Sequence, residues 1–413
     1  MKALNHILGI LFVVMLYLYL HNPTLPFGVG ACKLLYPFAL VFIFFRVKSF
    51  SRYLYLFRTE LIFLLLLTVY STFEFLFIGE PNTMRLHLVG IVEYFVLPFF
   101  IILSIRQTDG SLVKYLLITA SVGAVITLFC VIFPSFNEYL RLTVNRYMYS
   151  SMDEYRASTT YRGFGISEAL TYSYGIIQGI FFVMTLYFFK SNKWVLPFSF
   201  LIILSAALNA RTGIIVAACG VLIFLLKRGR GLAVFILLGV AIIAANIIPI
   251  LQLMGVEPRT LDWLYVFAEE TSSIFSNRDI TASVTTSYMF KDMLVFPQSF
   301  HDWILGCGRD IYWRPYRRSD MGWIIQLNFG GLPYLFLELG FLAYLFRRLS
   351  KAGYTNLAFF FAVAFTIANT KGPALPNSGI FRLLMLIYIY YILSTVGSGT
   401  SAGIPAQPET AQS

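Results

Sequence analysis

Charge-poor apolar stretches of roughly 17–25 residues, the length an α-helix needs to cross a bilayer, recur from end to end of the chain. The short alternating segments of a membrane β-barrel are absent. The pattern predicts an all-α polytopic membrane protein with about twelve spans, at 4–20, 29–45, 59–78, 87–105, 112–133, 170–189, 194–208, 212–226, 231–250, 322–346, 355–370 and 378–396. The first run follows Met1-Lys2 without a small-x-small cleavage site, so it reads as a retained span. Residues 1–396 then form a single integral membrane domain, and the Gly/Ser/Pro-containing tail 397–413 reads as disordered.

Between the spans, alternate short segments carry the basic residues: 46–58, 106–114, 190–193, 227–230 and 347–351. All five fall on the side of Met1-Lys2, which places both termini in the cytoplasm under the rule that short Lys/Arg-bearing loops are retained there. Two sizeable loops, about 134–169 and 251–321, then lie outside.

Composition agrees with this class: 58% of residues are hydrophobic and 12% charged, where soluble domains carry about 25% charged. Of the four cysteines only Cys307 stands in a polar loop, and no CxxC or metal spacing exists. A DxD, an HExxH and a P-loop are absent too, so metal-dependent nucleotide-sugar chemistry and ATP-driven transport lack their parts, and neither a metal nor a cofactor is expected.

The net charge of +11 changes the picture once it is sorted by side. The cytoplasmic side carries eight Arg against seven Lys, whereas the outer side carries thirteen Arg against three Lys, Arg382 counted among the thirteen. Guanidinium offers a rigid fork of donors that binds phosphate or carboxylate bidentately and desolvates more easily than ammonium. An outward arginine surface suits an anionic lipid headgroup such as a diphosphate, and no nucleic-acid motif accompanies it. Arg211, alone in the tight outer turn of "NARTG", runs against the orientation rule, which favours a functional role. Aromatic residues crowd both outer loops and suit either sugar stacking or an interfacial belt.

The larger outer loop shows a helical pattern over 280–295 with Pro297 as a stop. Next comes "GCGRD", a turn that needs glycine. "RPYRRSD" then gathers Arg314, Arg317, Arg318 and Asp320 ahead of a span. A carboxylate set among guanidiniums suits an acceptor of hydrogen bonds better than a proton donor. His301 reads as a solvated histidine, and Glu74, Glu93 and Glu338 are intramembrane acids, expensive to bury and hence functional candidates.

"NARTG" (209–213), Arg278, "ILGCG" (304–308) and "SDMGWIIQLNFGG" (319–331), with "YRGFGISEA" (161–169) and "TKGPAL" (370–375), resemble the O-antigen polymerase and ligase superfamily, Wzy-type polymerases in particular. The resemblance covers most of the chain in hydropathy and topology. It implies a GT-C-like fold in the bacterial inner membrane. The implied activity is metal-independent transfer of an oligosaccharide from undecaprenyl diphosphate onto an acceptor sugar in the periplasm. Arg211 and Arg278 would hold the diphosphate, with Arg162, Arg314, Arg317, Arg318 and Lys371 in support and Asp320 on the acceptor side. The partners it implies are the undecaprenyl-diphosphate-linked oligosaccharide and membrane lipid, with a chain-length regulator as a further candidate. Ligases carry a histidine where Ser319-Asp320 stand here, which favours a polymerase and leaves the base unassigned. The alternatives are an O-antigen ligase and a lipid-linked oligosaccharide flippase or transporter.

Overall fold

The computed structural model describes residues 2–78, 81–105, 111–144, 165–167, 172–188, 193–228, 291–309, 319–376 and 378–398, with parts of 248–288. Among them the chain is helical with no strand, apart from one bridge between Thr24 and Gly30. In order come α1 (Lys2–His21), α2 (Leu35–Phe45), α3 (Val47–Leu56), α4 (Arg58–Ile78) and α5 (Asn82–Ile91). A π-helical segment, Val92–Val96, leads from α5 into α6 (Leu97–Ile105). There follow α7 (Leu112–Ile132), α8 (Pro134–Thr143), α9 (Ser173–Tyr187), α10 (Leu196–Asn209), α11 (Arg211–Arg228), α12 (Phe300–Leu305), α13 (Gly322–Lys351), α14 (Thr355–Lys371) and α15 (Gly379–Ser398).

Five helical segments are long and apolar enough to cross a membrane: α4, α5 through α6, α7, α13 and most of α15. The bent pair Ala31–Phe45 and Val47–Leu56 makes a sixth if it counts as one span. Shorter apolar helices occupy Asn5–His21, Ser173–Tyr187, Leu196–Asn209 and Arg211–Leu225. Helices thus stand at every anticipated span except 231–250, of which only residues 248–249 are described.

Residues 46–58, expected as a loop, contain helix α3. Phe50, Tyr53, Leu54 and Phe57 recur at i, i+3, i+4 and i+7, and Tyr53 and Phe57 are buried. The apolar stripe folds the segment against the bundle, although its Lys and Arg content reads as loop. The expected loop 134–169 likewise opens with α8, started by Pro134 in its first turn. Of the stretch 280–295, residues 287–288 and 291–292 are described and helical, whereas residues 293–295 are described and not helical, so the helix stops short of the expected end.

Helix α15 is the axis of the bundle: 72% of its span is buried, against 28% for α4. Around it, glycines let backbones touch. A Cβ on Gly179 of α9 would lie 2.3 Å from the Gly213 carbonyl oxygen of α11, and one on Gly213 would lie 2.2 Å from that of Gly175. Where lipid competes equally for apolar side chains, such close approach is how helices gain packing energy.

Helix α13 breaks at Gly331, where φ is 66°. Pro333 has no N–H for the Phe329 carbonyl, so the N-terminal half of α13 ends with unmet acceptors among apolar helices. The "ILGCG" segment meets them. Cys307 N–H donates to Asn328 O at 2.7 Å and Gly308 N–H to Phe329 O at 2.8 Å. The Tyr70 hydroxyl of α4 donates to Gly330 O at 2.6 Å. Gly306 and Gly308 sit at φ 77° and 62°, as the turn in "GCGRD" requires.

Gly179→Ala forces a methyl group into a backbone oxygen and is expected to cost about 1–3 kcal/mol. Gly340→Ala, whose Cβ would meet nothing nearer than Phe63 at 4.0 Å, should gain roughly 0.5–1 kcal/mol in the α13 interior. Thermal unfolding of the purified protein in detergent reads both shifts, which must have opposite sign.

Candidate functional site

Three of the sequence-predicted site residues lie in the described structure, and all three are half-buried at helix ends. Arg211 is the first residue of α11, after a one-residue break at Ala210. Asp320 stands two residues before α13, and Lys371 is the last residue of α14. Arg162, Arg278, Arg314, Arg317 and Arg318 lie outside the described residues.

A run of contacts ties these helix ends to one end of the bundle. A Cβ on Gly175 of α9 would lie 2.7 Å from the Ala210 Cβ, next to Arg211. One turn earlier, the Tyr172 hydroxyl donates to Pro373 O at 3.4 Å, and its ring lies against Gly372, next to Lys371. The Gly372 carbonyl in turn faces Gly322, where a Cβ would stand 2.6 Å from it. Arg211, Lys371 and Asp320 therefore share one end, reached by steps of direct contact.

The segments "SDMGWIIQLNFGG" and "TKGPAL" interlock there. Asn369 Nδ2 donates to Gln326 Oε1 at 2.7 Å, Gln326 Nε2 donates to Leu375 O at 3.1 Å, and Ala374 N–H donates to Asn369 Oδ1 at 2.8 Å. The clasp is buried, so two carboxamides replace water for each other and for two backbone partners. The segment that returns to α13 is tied to the same helix. Ser319 Oγ donates to Met293 O at 2.8 Å and Asn328 Nδ2 to Val295 O at 2.7 Å. The ends of α9, α11, α13 and α15 that open here are all N-termini, the positive ends of their dipoles.

Next to this end lies a charge pair that hydropathy and side-sorting missed. Arg382, counted with the outer rim, is wholly buried in α15 and its Nη1 lies 2.8 Å from Glu93 Oε2 in the π-helical segment. The first-turn position of Arg382 put it on the outer rim by count, but packing of α15 at the centre of the bundle encloses it. The Tyr36 hydroxyl donates to Glu93 Oε1 at 3.0 Å, and the Tyr19 hydroxyl lies 2.8 Å from Glu93 O and 3.2 Å from Arg382 O. Unlike charges on separate spans were the only available signal, and a sequence alone does not say which spans touch.

Other candidates resolve differently. His301 is exposed in the first turn of α12, with Nδ1 3.6 Å from Asp302 Oδ1, as a solvated histidine would be. Glu74 is buried beside the "GCG" turn, since a Cβ on Gly308 would come within 2.9 Å of its Oε2. The Glu338 carboxyl lies next to the Tyr334 hydroxyl, which is itself 2.7 Å from His87 Nε2. Burial pushes the Cys307 thiol up, so it stays protonated and is no ready nucleophile. Among the described residues no group of three or more His, Cys, Asp or Glu could hold a metal ion.

No protein-family model, curated protein or solved structure matches the chain.

Removing one member of the Glu93–Arg382 pair leaves a buried charge without its counter-ion. Glu93→Ala is therefore expected to cost about 3–5 kcal/mol, and Glu93→Ala with Arg382→Leu substantially less. The measurement is the thermal midpoint of these two variants and of Arg382→Leu against the parent; single losses that simply add up to the double loss would mean the pair carries no coupling.

Proposed function

We propose that the chain is a polysaccharide repeat-unit polymerase that transfers glycan from undecaprenyl diphosphate onto a lipid-linked acceptor at the outer face of the bacterial inner membrane. The observation that carries the reading is convergence. Four of the segments behind the resemblance, 209–213, the neighbouring 304–308 and 319–331, and 370–375, come from three separate stretches of the chain and pack into one end of the bundle. In this reading the architecture is a twelve-span GT-C-like bundle with both termini in the cytoplasm, and the outer loops complete the site.

The chemistry asks for two things: stabilisation of the departing diphosphate and orientation of an acceptor hydroxyl. Arg211, at the N-terminus of α11, and Lys371, at the C-terminal end of α14, supply the first. Arg278, Arg162, Arg314, Arg317 and Arg318 reach the same anion from the outer loops. Asp320 receives a hydrogen bond from the acceptor hydroxyl as its oxygen attacks the anomeric carbon, the bond to the diphosphate breaks, and the hydroxyl proton leaves with the diphosphate. The lipid carrier brings its own leaving group, so neither a nucleotide sugar nor ATP enters.

Deletion of the gene separates this reading from its rivals on a polysaccharide gel. A polymerase leaves single repeats on the surface, a ligase leaves none, and a flippase leaves lipid-linked units on the cytoplasmic side. Complementation with Arg211→Lys should fail to restore long chains, because ammonium keeps the charge and loses the bidentate fork. Asp320→Asn should shorten them with normal membrane insertion. Near-normal ladders would remove the respective residue from the site.

A further inference from the structure

The opposite end of the bundle carries a surface that the proposed chemistry does not use. Arg46, Lys48, Arg52 and Arg58 are all exposed along α3 and its two flanks, and residues 44–59 contain no acid. Helix α3 turns by 101° from the helix before it, so when Ala31–Phe45 crosses the bilayer, α3 runs along its surface.

The two sides of α3 have different tasks. Its inner side is committed to the bundle: the Phe50 ring is 5.0 Å from that of Phe99, and the Tyr53 hydroxyl donates to Phe95 O at 2.8 Å. Its outer side exposes Val47, Lys48, Ser51, Arg52 and Tyr55, with the Arg58 guanidinium 5.2 Å from the Tyr55 ring centre. At the corner with α2, Phe44 and Phe45 are 75% and 77% exposed.

Retention of basic loops in the cytoplasm accounts for the sign of these charges. It does not account for a helix laid flat, with large apolar rings and guanidiniums exposed at one level. Rings that enter the acyl boundary beside cations at headgroup depth are the chemistry of an interfacial helix on an anionic membrane. A free anion in water would use the cations and leave the rings unexplained.

We propose that α3 is a docking shelf for acidic phospholipids, with Arg46, Lys48 and Arg52 binding the headgroup phosphates and Phe44, Phe45 and Tyr55 entering the interface. The shelf is linked to the rest of the fold. Leu56 O accepts from Arg348 Nη2 at 3.0 Å, and the same guanidinium pairs with buried Glu60, which also accepts from the Tyr388 hydroxyl. Lipid held on α3 thereby bears on α4, α13 and α15 together.

The test uses the purified full-length protein in phosphatidylcholine membranes with trace spin-labelled phosphatidylglycerol or spin-labelled phosphatidylcholine. The measured quantity is the ratio of their association with the protein surface. Wild type should prefer the acidic lipid, and the preference should weaken as salt is raised. R46Q/K48Q/R52Q should lower the ratio by roughly fivefold or more, whereas the charge-preserving R46K/K48R/R52K should retain it. The single variant K48Q, exposed and away from the core, gives the same sign if the triple variant fails to fold. An unchanged ratio in the neutralised variants, or displacement of the labelled acidic lipid by inorganic phosphate at constant ionic strength, overturns the proposal.

Discussion

Hydrocarbon supplies no hydrogen bonds, so every polar group that this chain places among its apolar helices must find a partner within the protein. The break in α13 shows how far that constraint reaches. One proline and one left-handed glycine free the carbonyls of Asn328, Phe329 and Gly330, and three donors from two other parts of the chain come to them. The loop segment 304–308 is thus held at the membrane by backbone amides rather than by side-chain packing, and its position carries the rest of the returning loop with it.

The same constraint acts on charge. Helix α15, the most enclosed of the five long apolar helices, is tied at two levels: Arg382 to Glu93 near its start, and Tyr388 to the Glu60–Arg348 pair further along. Each tie joins α15 to helices distant in sequence, so the pairs fix which neighbours surround it and at what height. Taking such charges out of water is expensive, and the return is specificity of arrangement more than stability. One pair lies beside the end that Arg211, Lys371 and Asp320 share, and the other holds the C-terminal end of helix α3.

Much of the helical content was legible because long apolar runs have one outcome in a bilayer. The glycine turn at 306–308 was legible too, since only glycine takes those angles. Helix α3 was not, because four basic residues masked a regular apolar stripe of Phe50, Tyr53, Leu54 and Phe57. The burial of Arg382 was not, because one charge in the first turn of a span has the same local sequence whether it faces solvent or a buried acid. The placing of Arg211, Lys371 and Asp320 at one end depends on contacts between Gly175, Tyr172, Gly322 and their neighbours, which no single segment encodes.

The crossing of the 304–308 turn over the α13 break has a consequence for how such chains can diverge. A Cβ on Gly306 would come 2.2 Å from Phe329 O, and one on Gly331 would come 2.5 Å from Ile304 O. In both cases the obstacle is main chain, which no second mutation can shrink. Descendants that keep this crossing should therefore hold both glycines, while those that lose either must re-route the turn, leaving a pair of positions where inheritance permits no compensation.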